Sequence, residues 1–504
     1  MFKLLKATRD GYITNKIVLN RFRAKDANVG KAGTLDLFKL HDESRSGSAA
    51  NPQELSRLLV KFDLDPLRAL TGSVLDYTDS SFNCTLKMRD VVGGQTLPSN
   101  FSMMLYPLSK SFDEGIGRDV ASFSDVDVAN FLTASVTDGV VSLWTTEGAD
   151  KKGLLGSTNI DVISSGNLGA GVVDLWLTQS FTAGDEDLSM DVTTLVSATL
   201  AGQLPDQGFR LSFSGSQETD SETRFVKRFI SRHSHAQPHK VPTIEVKYND
   251  SLQDHHNIFY FDLSGSLFFN SFERGQPANI ASGSSLTRIT GNDSVHLTLN
   301  SGSYSFTVSG SQHSVGSNFV TGVYSASFAI PSTDATLLTE IQNAGSATFT
   351  EVWGSVDGTV AYSSSSLVIL EADRSAFAYA SEALHVTLPN SRAEYNSTEQ
   401  ARIRVHAIDH DDDSTIVFRK LPRVRPSKIF TKMHYRVRDA HDSEIVIPFD
   451  TTYNSTLLST DSDGMYFDLH VDSLVVGAVY TFDFLVEGAS DTIIKSIGRF
   501  RVGA

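Results

Sequence analysis

Polar and apolar positions alternate along most of this chain in short runs. Turn residues interrupt them about every 8 to 12 positions, the rhythm of β-sandwich proteins. Residues 56–67 (SRLLVKFDLDPL) place Leu58, Val60 and Phe62 on one face of a strand, because successive side chains of an extended chain point to opposite sides. The same alternation predicts strands in residues 83–90, 99–107 (SNFSMMLYP), 173–181, 208–215 (GFRLSFSG) and 242–248 (PTIEVKY). Helical periodicity is rare, and residues 52–59, 125–133 and 192–201 carry the best of it. The second of these has Ser124 as N-cap and Asp127 three residues on, close to a capping box. The third has Asp191 before it and Gly202 after it, a fitting stop signal.

The 504 residues predict about three or four domains, and the pattern divides into three blocks. Residues 1–248 read as a jelly roll. Residues 249–375 open with a polar linker (NDSLQDHHN) and continue as about six or seven strands with Ser/Gly turns, which suits a β-sandwich. Residues 376–504 hold clear strands such as ARIRVHAID, KMHYRVRD, MYFDLHV and VYTFDFLVEG, separated by acidic turns, and read as an immunoglobulin-like β-sandwich. The expected fold is therefore all-β: an N-terminal jelly-roll domain followed by two immunoglobulin-like β-sandwich domains.

Composition narrows the classes of function. At 40% hydrophobic the chain can form real cores, and no apolar run reaches the ~20 residues of a membrane helix. The opening residues, MFKLLKATRDGYI, lack the apolar stretch of a secretory signal. The formal charge of −16 argues against binding nucleic acid through the whole surface, since phosphate contacts need Lys and Arg. The single cysteine, Cys84, lies in the alternating run SFNCTLKM and reads as a small buried strand residue.

Four segments, taken in order, resemble a known family. They are SRLLVKFDLDPL at 56–67, SFDEGIGRD at 111–119, MDVTTLVSATLAGQLPDQGFRLSFS at 190–214 and RFISRHSHAQPHKVPTIEVKY at 228–248. Together they resemble the DNRLRE-type domain, a jelly roll similar in shape to carbohydrate-binding modules. The resemblance covers nearly half of the chain and implies a surface-type module. The family's Trp beside the acidic turn is Phe112 here. The chain as a whole is similar in style to structural proteins of tailed phages.

Candidate chemistry is sparse. The acidic stretch offers Asp113, Glu114 and Asp119, with Asp125 and Asp127 beyond, as oxygen ligands for a structural Ca²⁺. The same carboxylates also fit turns and a helix N-terminus. Adjacent Asp113 and Glu114 would point to opposite faces of a strand, which argues against a glycosidase pair. The run 409–413 (DHDDD) starts like an EF-hand loop, but Lys420 stands where the closing Glu belongs. His233, His235 and His239, and separately His255 and His256, are candidate zinc ligands, although no zinc-type spacing supports them. No GxSxG, Cys/His nucleophile motif or Walker loop is present in the sequence.

These observations give the expectation of a non-enzymatic structural component of a tailed-phage virion, in the neck, tail or fibre region. Its partners would be other virion proteins and copies of itself, with no nucleic acid and no membrane, and no cofactor beyond that Ca²⁺. Assembly would take place in the host cytoplasm, with release by lysis. The alternative is a glycan-binding adhesion protein recognising host surface polysaccharide. Tyr106, Phe112 and Trp144 would then form the aromatic platform.

Overall fold

The computed structural model of the chain describes residues 1–19, 22–42, 53–91, 93, 97–122, 127–169, 171–235, 237–282, 287–372, 384–409, 427–488 and 491–504. It is all-β, with β-sandwich layering, four short α-helices and a 3-10 turn at Val471–Ser473 among the described residues. Among those residues no helix is long and apolar enough to cross a membrane. The chain forms two compact units. A leading unit comprises Lys3–Ala69 and Phe82–Val246; a trailing unit comprises Met1–Phe2, Leu70–Ser81 and Lys247–Ala504. The expected boundary at 375/376 and most of the acidic run 409–413 lie outside the described residues.

In the leading unit the strand Gln53–Phe62 is the hub. It pairs antiparallel with Phe2–Thr14, where Tyr12 faces Leu58, and with Phe209–Phe213, where Leu211 faces the same Leu58. Its first residues pair with Thr34–His41, which continues to Arg224–Ile230. Ten strands join in this network. The sequence offers residues 52–59 as a helical candidate, but its described residues, 53–59, are strand. Its period-two pattern serves partners on both edges, and tertiary pairing overrides a weak local preference. Residues 127–132 are turns and not the expected helix, and the chain is already extended at Thr133–Thr137. The third candidate does fold as a helix, Thr193–Leu200, burying Leu195, Val196 and Ala198. Asp191 accepts the Thr193 N–H at 2.9 Å, and Gly202 at φ +72° turns the chain away.

Gln53–Phe62 is buried on both faces. Polar residues sit among the apolar ones on each. One face carries Arg57, whose guanidinium grips Glu218 in two parallel bonds of 2.9 and 2.7 Å and donates to the Gly148 carbonyl at 2.7 Å. A buried charge is tolerable only when paired in this way. Lys227 repeats the device, bonding Asp90 at 2.6 Å and two backbone carbonyls.

The trailing unit opens with a six-stranded antiparallel sheet ordered Gly265–Asn270, Asn318–Phe328, Tyr304–Val315, Val295–Ser301, Ser346–Gly354 and Ala361–Leu370. Val295, Leu297 and Leu299 point inward while His296, Thr298 and Asn300 do not, as strict alternation requires. The sheet curls so that Phe269 on the first strand stacks on Trp353 of the fifth at 5.8 Å. Residues beyond 384 form a two-sheet sandwich. Tyr435 from the five-stranded sheet stacks on Phe467 from the four-stranded one at 4.3 Å, and Phe482 meets the same Phe467 edge-on at 5.4 Å. Each such aromatic contributes about 1.5–3 kcal/mol through burial.

Candidate functional site

The acidic turn predicted from sequence is held in place by close backbone packing in the leading unit. Asn28 donates to the carbonyls of Glu114 at 2.9 Å and Ala129 at 2.8 Å, and accepts the Gly117 N–H at 2.7 Å. A Cβ at Gly30 would sit 1.7 Å from the Glu114 carbonyl oxygen, and one at Gly117 would sit 1.9 Å from that of Asn28. Only glycine permits this approach, and it aims the Glu114 side chain at strand Phe2–Thr14.

Asp10 waits there. It is fully buried. Its Oδ2 accepts the Arg232 backbone N–H at 2.6 Å, whereas Oδ1 has no hydrogen-bonding partner. Burial pushes the carboxyl up to about 7; the Arg232 amide opposes that, and the Glu114 charge adds to it. His233 arrives from the segment after strand Arg224–Ile230, where its own N–H bonds the Ser231 hydroxyl at 3.1 Å. Its Nε2 lies 3.2 Å from Glu114 Oε1. One ligand-type atom from each of Asp10, Glu114 and His233 lies within 4.8 Å of the other two. The Arg232 guanidinium fills the space between. Its Nη1 stands 3.0 and 2.8 Å from the two Glu114 oxygens and 3.0 Å from His233 Nε2. Glu114 Oε1 also accepts the Asp10 N–H at 2.9 Å. With Nε2 unprotonated, three lone-pair atoms converge on one cation.

Glu114 is thus the one residue of the expected Ca²⁺ set that joins this cluster. Asp113 turns the other way, as neighbours on an extended chain do. Its Oδ2 accepts the Val136 N–H at 2.8 Å and its Oδ1 is 3.3 Å from Arg9. Asp119 caps its own turn through the N–H groups of Ala121 and Ser122 at 2.8 and 2.7 Å, and the Ser122 amide above all holds its carboxyl below the usual range. Asp125 lies outside the described residues. Of the histidines, His233 joins the cluster, while His235 and His239 are exposed. In the trailing unit His256 is clamped between Asp254 at 2.6 Å and Glu351 at 2.8 Å. Sequence reasoning named Glu114 and His233 in two separate groups and missed Asp10, which carries no local signal within its strand.

The aromatic platform needs correcting. Tyr106, Phe112 and Trp144 are 2%, 1% and 5% exposed, and they share one core cluster with Ile13, Leu59, Leu108 and Val162. Trp144 spends its indole N–H on the Asn130 carbonyl at 3.0 Å. Their rings fill the space between layers and offer no face to a sugar.

A cavity of about 440 Å³ in the trailing unit is lined by Asp250, His313, Arg402, Tyr435 and Asp468, among others. Its main charges are already matched, Arg402 holding Asp468 through two bonds of 2.9 Å.

No family model matches the chain, and no curated protein matches it. Among solved structures, the chain is similar to the BSP domain of a biofilm-associated protein, at 10% identity over 97% of this chain and 68% of that one, with a TM-score of 0.15. A putative membrane-anchored protein from Corynebacterium diphtheriae aligns at 9% identity over 100% of this chain and 97% of that one, with a TM-score of 0.15. A trypsin-activated alpha-2-macroglobulin from Escherichia coli aligns at 9% identity over 94% of this chain and 29% of that one, with a TM-score of 0.14. Superpositions this loose carry no argument about function.

Proposed function

We propose that this chain is a non-enzymatic structural component of a tailed-phage virion, held in the neck, tail or fibre region by contacts with copies of itself and other virion proteins. The observation that carries the assembly part of this reading is a pair of apolar edge strands in the leading unit. Strand Val140–Leu143 belongs to a two-stranded sheet, and strand Val172–Asp174 ends a three-stranded one. Val140 is 70% exposed, Leu143 58% and Val172 67%. An edge strand normally carries charge or a bulge to discourage pairing; Asp174 is the one charge on these two edges, and their exposed valines and leucine fit a protein that meets a partner strand or sheet. The phage part of the reading is supported by the sequence resemblance and by a chain with one cysteine and no motif of a nucleophilic enzyme.

The test is cryo-electron microscopy of particles purified from a lysate of cells producing the protein, beside the variant Val140→Lys/Leu143→Lys/Val172→Lys. The reading expects ordered copies at a symmetric position for the unaltered chain. It expects a folded variant that no longer enters particles. A chain that stays a free monomer with no particle overturns it, as does a variant that assembles normally.

A further inference from the structure

We propose that Asp10, Glu114 and His233 form a binding site for a divalent transition cation of the Zn²⁺ or Mn²⁺ class, with Arg232 as the resident cation that the metal displaces. The inference is independent of the virion reading, since a metal staple serves any function the leading unit has.

Four observations carry it. The three side chains come from three separate segments and bring one ligand-type atom each within 4.8 Å of the others. His233 Nε2 and Glu114 Oε1 already stand 3.2 Å apart. Metal bonds of about 2.0–2.2 Å place neighbouring ligand atoms roughly 3.0–3.4 Å apart, so this edge of the polyhedron needs no rebuilding. Asp10 Oδ1 is buried and has no hydrogen-bonding partner, a costly arrangement for a polar atom that coordination relieves. Finally, Arg232 satisfies Glu114 and His233 through a single nitrogen, and its side chain is 31% exposed. It can swing to water without crossing the core.

The donor set selects the metal class. An imidazole nitrogen beside carboxylate oxygens suits Zn²⁺ and Mn²⁺, whereas Ca²⁺ takes oxygen ligands alone. The histidine therefore moves the expected structural ion away from Ca²⁺. Charge points the same way. Once Arg232 has swung out, a divalent cation balances the Glu114 carboxylate and an Asp10 carboxyl that gives up its proton on binding.

The experiment is titration of the full-length, untagged, chelator-treated chain with Zn²⁺ and with Co²⁺ as a spectroscopic stand-in, followed by calorimetry and visible absorption. The exposed imidazoles are removed by a His235→Ala/His239→Ala background. One equivalent should bind and raise the melting temperature. His233→Ala and Asp10→Asn should each weaken binding at least about tenfold. Arg232→Gln should tighten it, because the competing cation is gone, and a purely structural role for Arg232 would not produce that result. If His233→Ala misfolds by circular dichroism, His233→Gln and the Co²⁺ spectrum of Arg232→Gln decide. Absence of saturable binding overturns the proposal, as do unchanged affinities in both ligand variants or weaker binding in Arg232→Gln.

Discussion

Replacing His256 by Ala should open the trailing unit's first sheet and leave a pH signature of known sign. The imidazole is 12% exposed and lies between Asp254 and Glu351, whose side chains are 3% and 1% exposed. Burial alone would lower its pKa, but hydrogen bonds and charge from both carboxylates outweigh it and hold the ring at about 10, against 6.5 ordinarily. The folded state therefore binds this proton more tightly than the unfolded chain. The resulting stability is complete below pH about 6.5 and is lost as pH rises toward about 10. At 1.36 kcal/mol per pH unit, that interval amounts to about 5 kcal/mol. Glu351 works from the acid side. Burial raises its pKa, yet His256 and the Trp353 N–H pull it below the ordinary value, so its share is present at neutral pH and lost only in acid. His256→Ala strands two buried carboxylates, a change that costs about 3–5 kcal/mol. Two units need not unfold as one transition, so the reading should be local: hydrogen exchange by mass spectrometry over strand Ser346–Gly354, which holds Glu351. At pH 6 the variant should lose about 3 kcal/mol or more of protection there. The gap between the two proteins should shrink by about 1.4 kcal/mol per pH unit above 6.5. A gap that is absent at pH 6, or that widens toward pH 9, would refute the reasoning.

Other outcomes follow from the leading unit. Cys84 is buried, and burial raises its thiol pKa well above the ordinary value, with Asp191 adding to the effect. Ellman's reagent should find no thiol in the native chain and one equivalent in urea, and rapid native labelling would contradict that placement. Gly30→Ala would set a Cβ 1.7 Å from the Glu114 carbonyl oxygen, whereas Gly33→Ala meets nothing within 4 Å. Hydrogen exchange over strand Gln53–Phe62 should show a loss of about 1–3 kcal/mol for the first and less than about 0.5 kcal/mol for the second; equal effects would refute the packing account.

The strands were legible in the sequence wherever one face is wet. Val295–Ser301 and Gln400–Asp409 alternate buried with less buried residues along nearly their whole length, and such a pattern can be read without a structure. The hub strand Gln53–Phe62 was harder, because it is buried on both faces and polar residues sit among the apolar ones on each. Glu54, Ser56 and Arg57 look like solvent positions in the sequence, yet Arg57 is 4% exposed. Its partner Glu218 lies 161 positions away, and no local pattern announces such a pairing. The aromatic platform failed for a related reason. Phe101, Met103 and Leu105 fill one face of the strand that holds Tyr106, and Tyr106, on the other, is covered as well by a core cluster that includes Leu59, Phe112 and Trp144.

The cation site shows where local reading stops. The resemblance implied an acidic turn within residues 111–119, and in the structure that turn presents Glu114. Its partners sit 104 and 119 positions away, at Asp10 and His233. Periodicity could place Asp10 on a strand, but only the sheet decides which neighbours that strand receives. Burial then does what sequence cannot encode locally: it strips Asp10 of water and leaves Oδ1 without a donor. A carboxylate in a solvated loop, such as Asp119, satisfies itself with its own backbone and has no need of an ion. The physical distinction between the two is desolvation. It explains why the acidic stretch yielded one useful residue of the three proposed, and why the decisive one lay outside it.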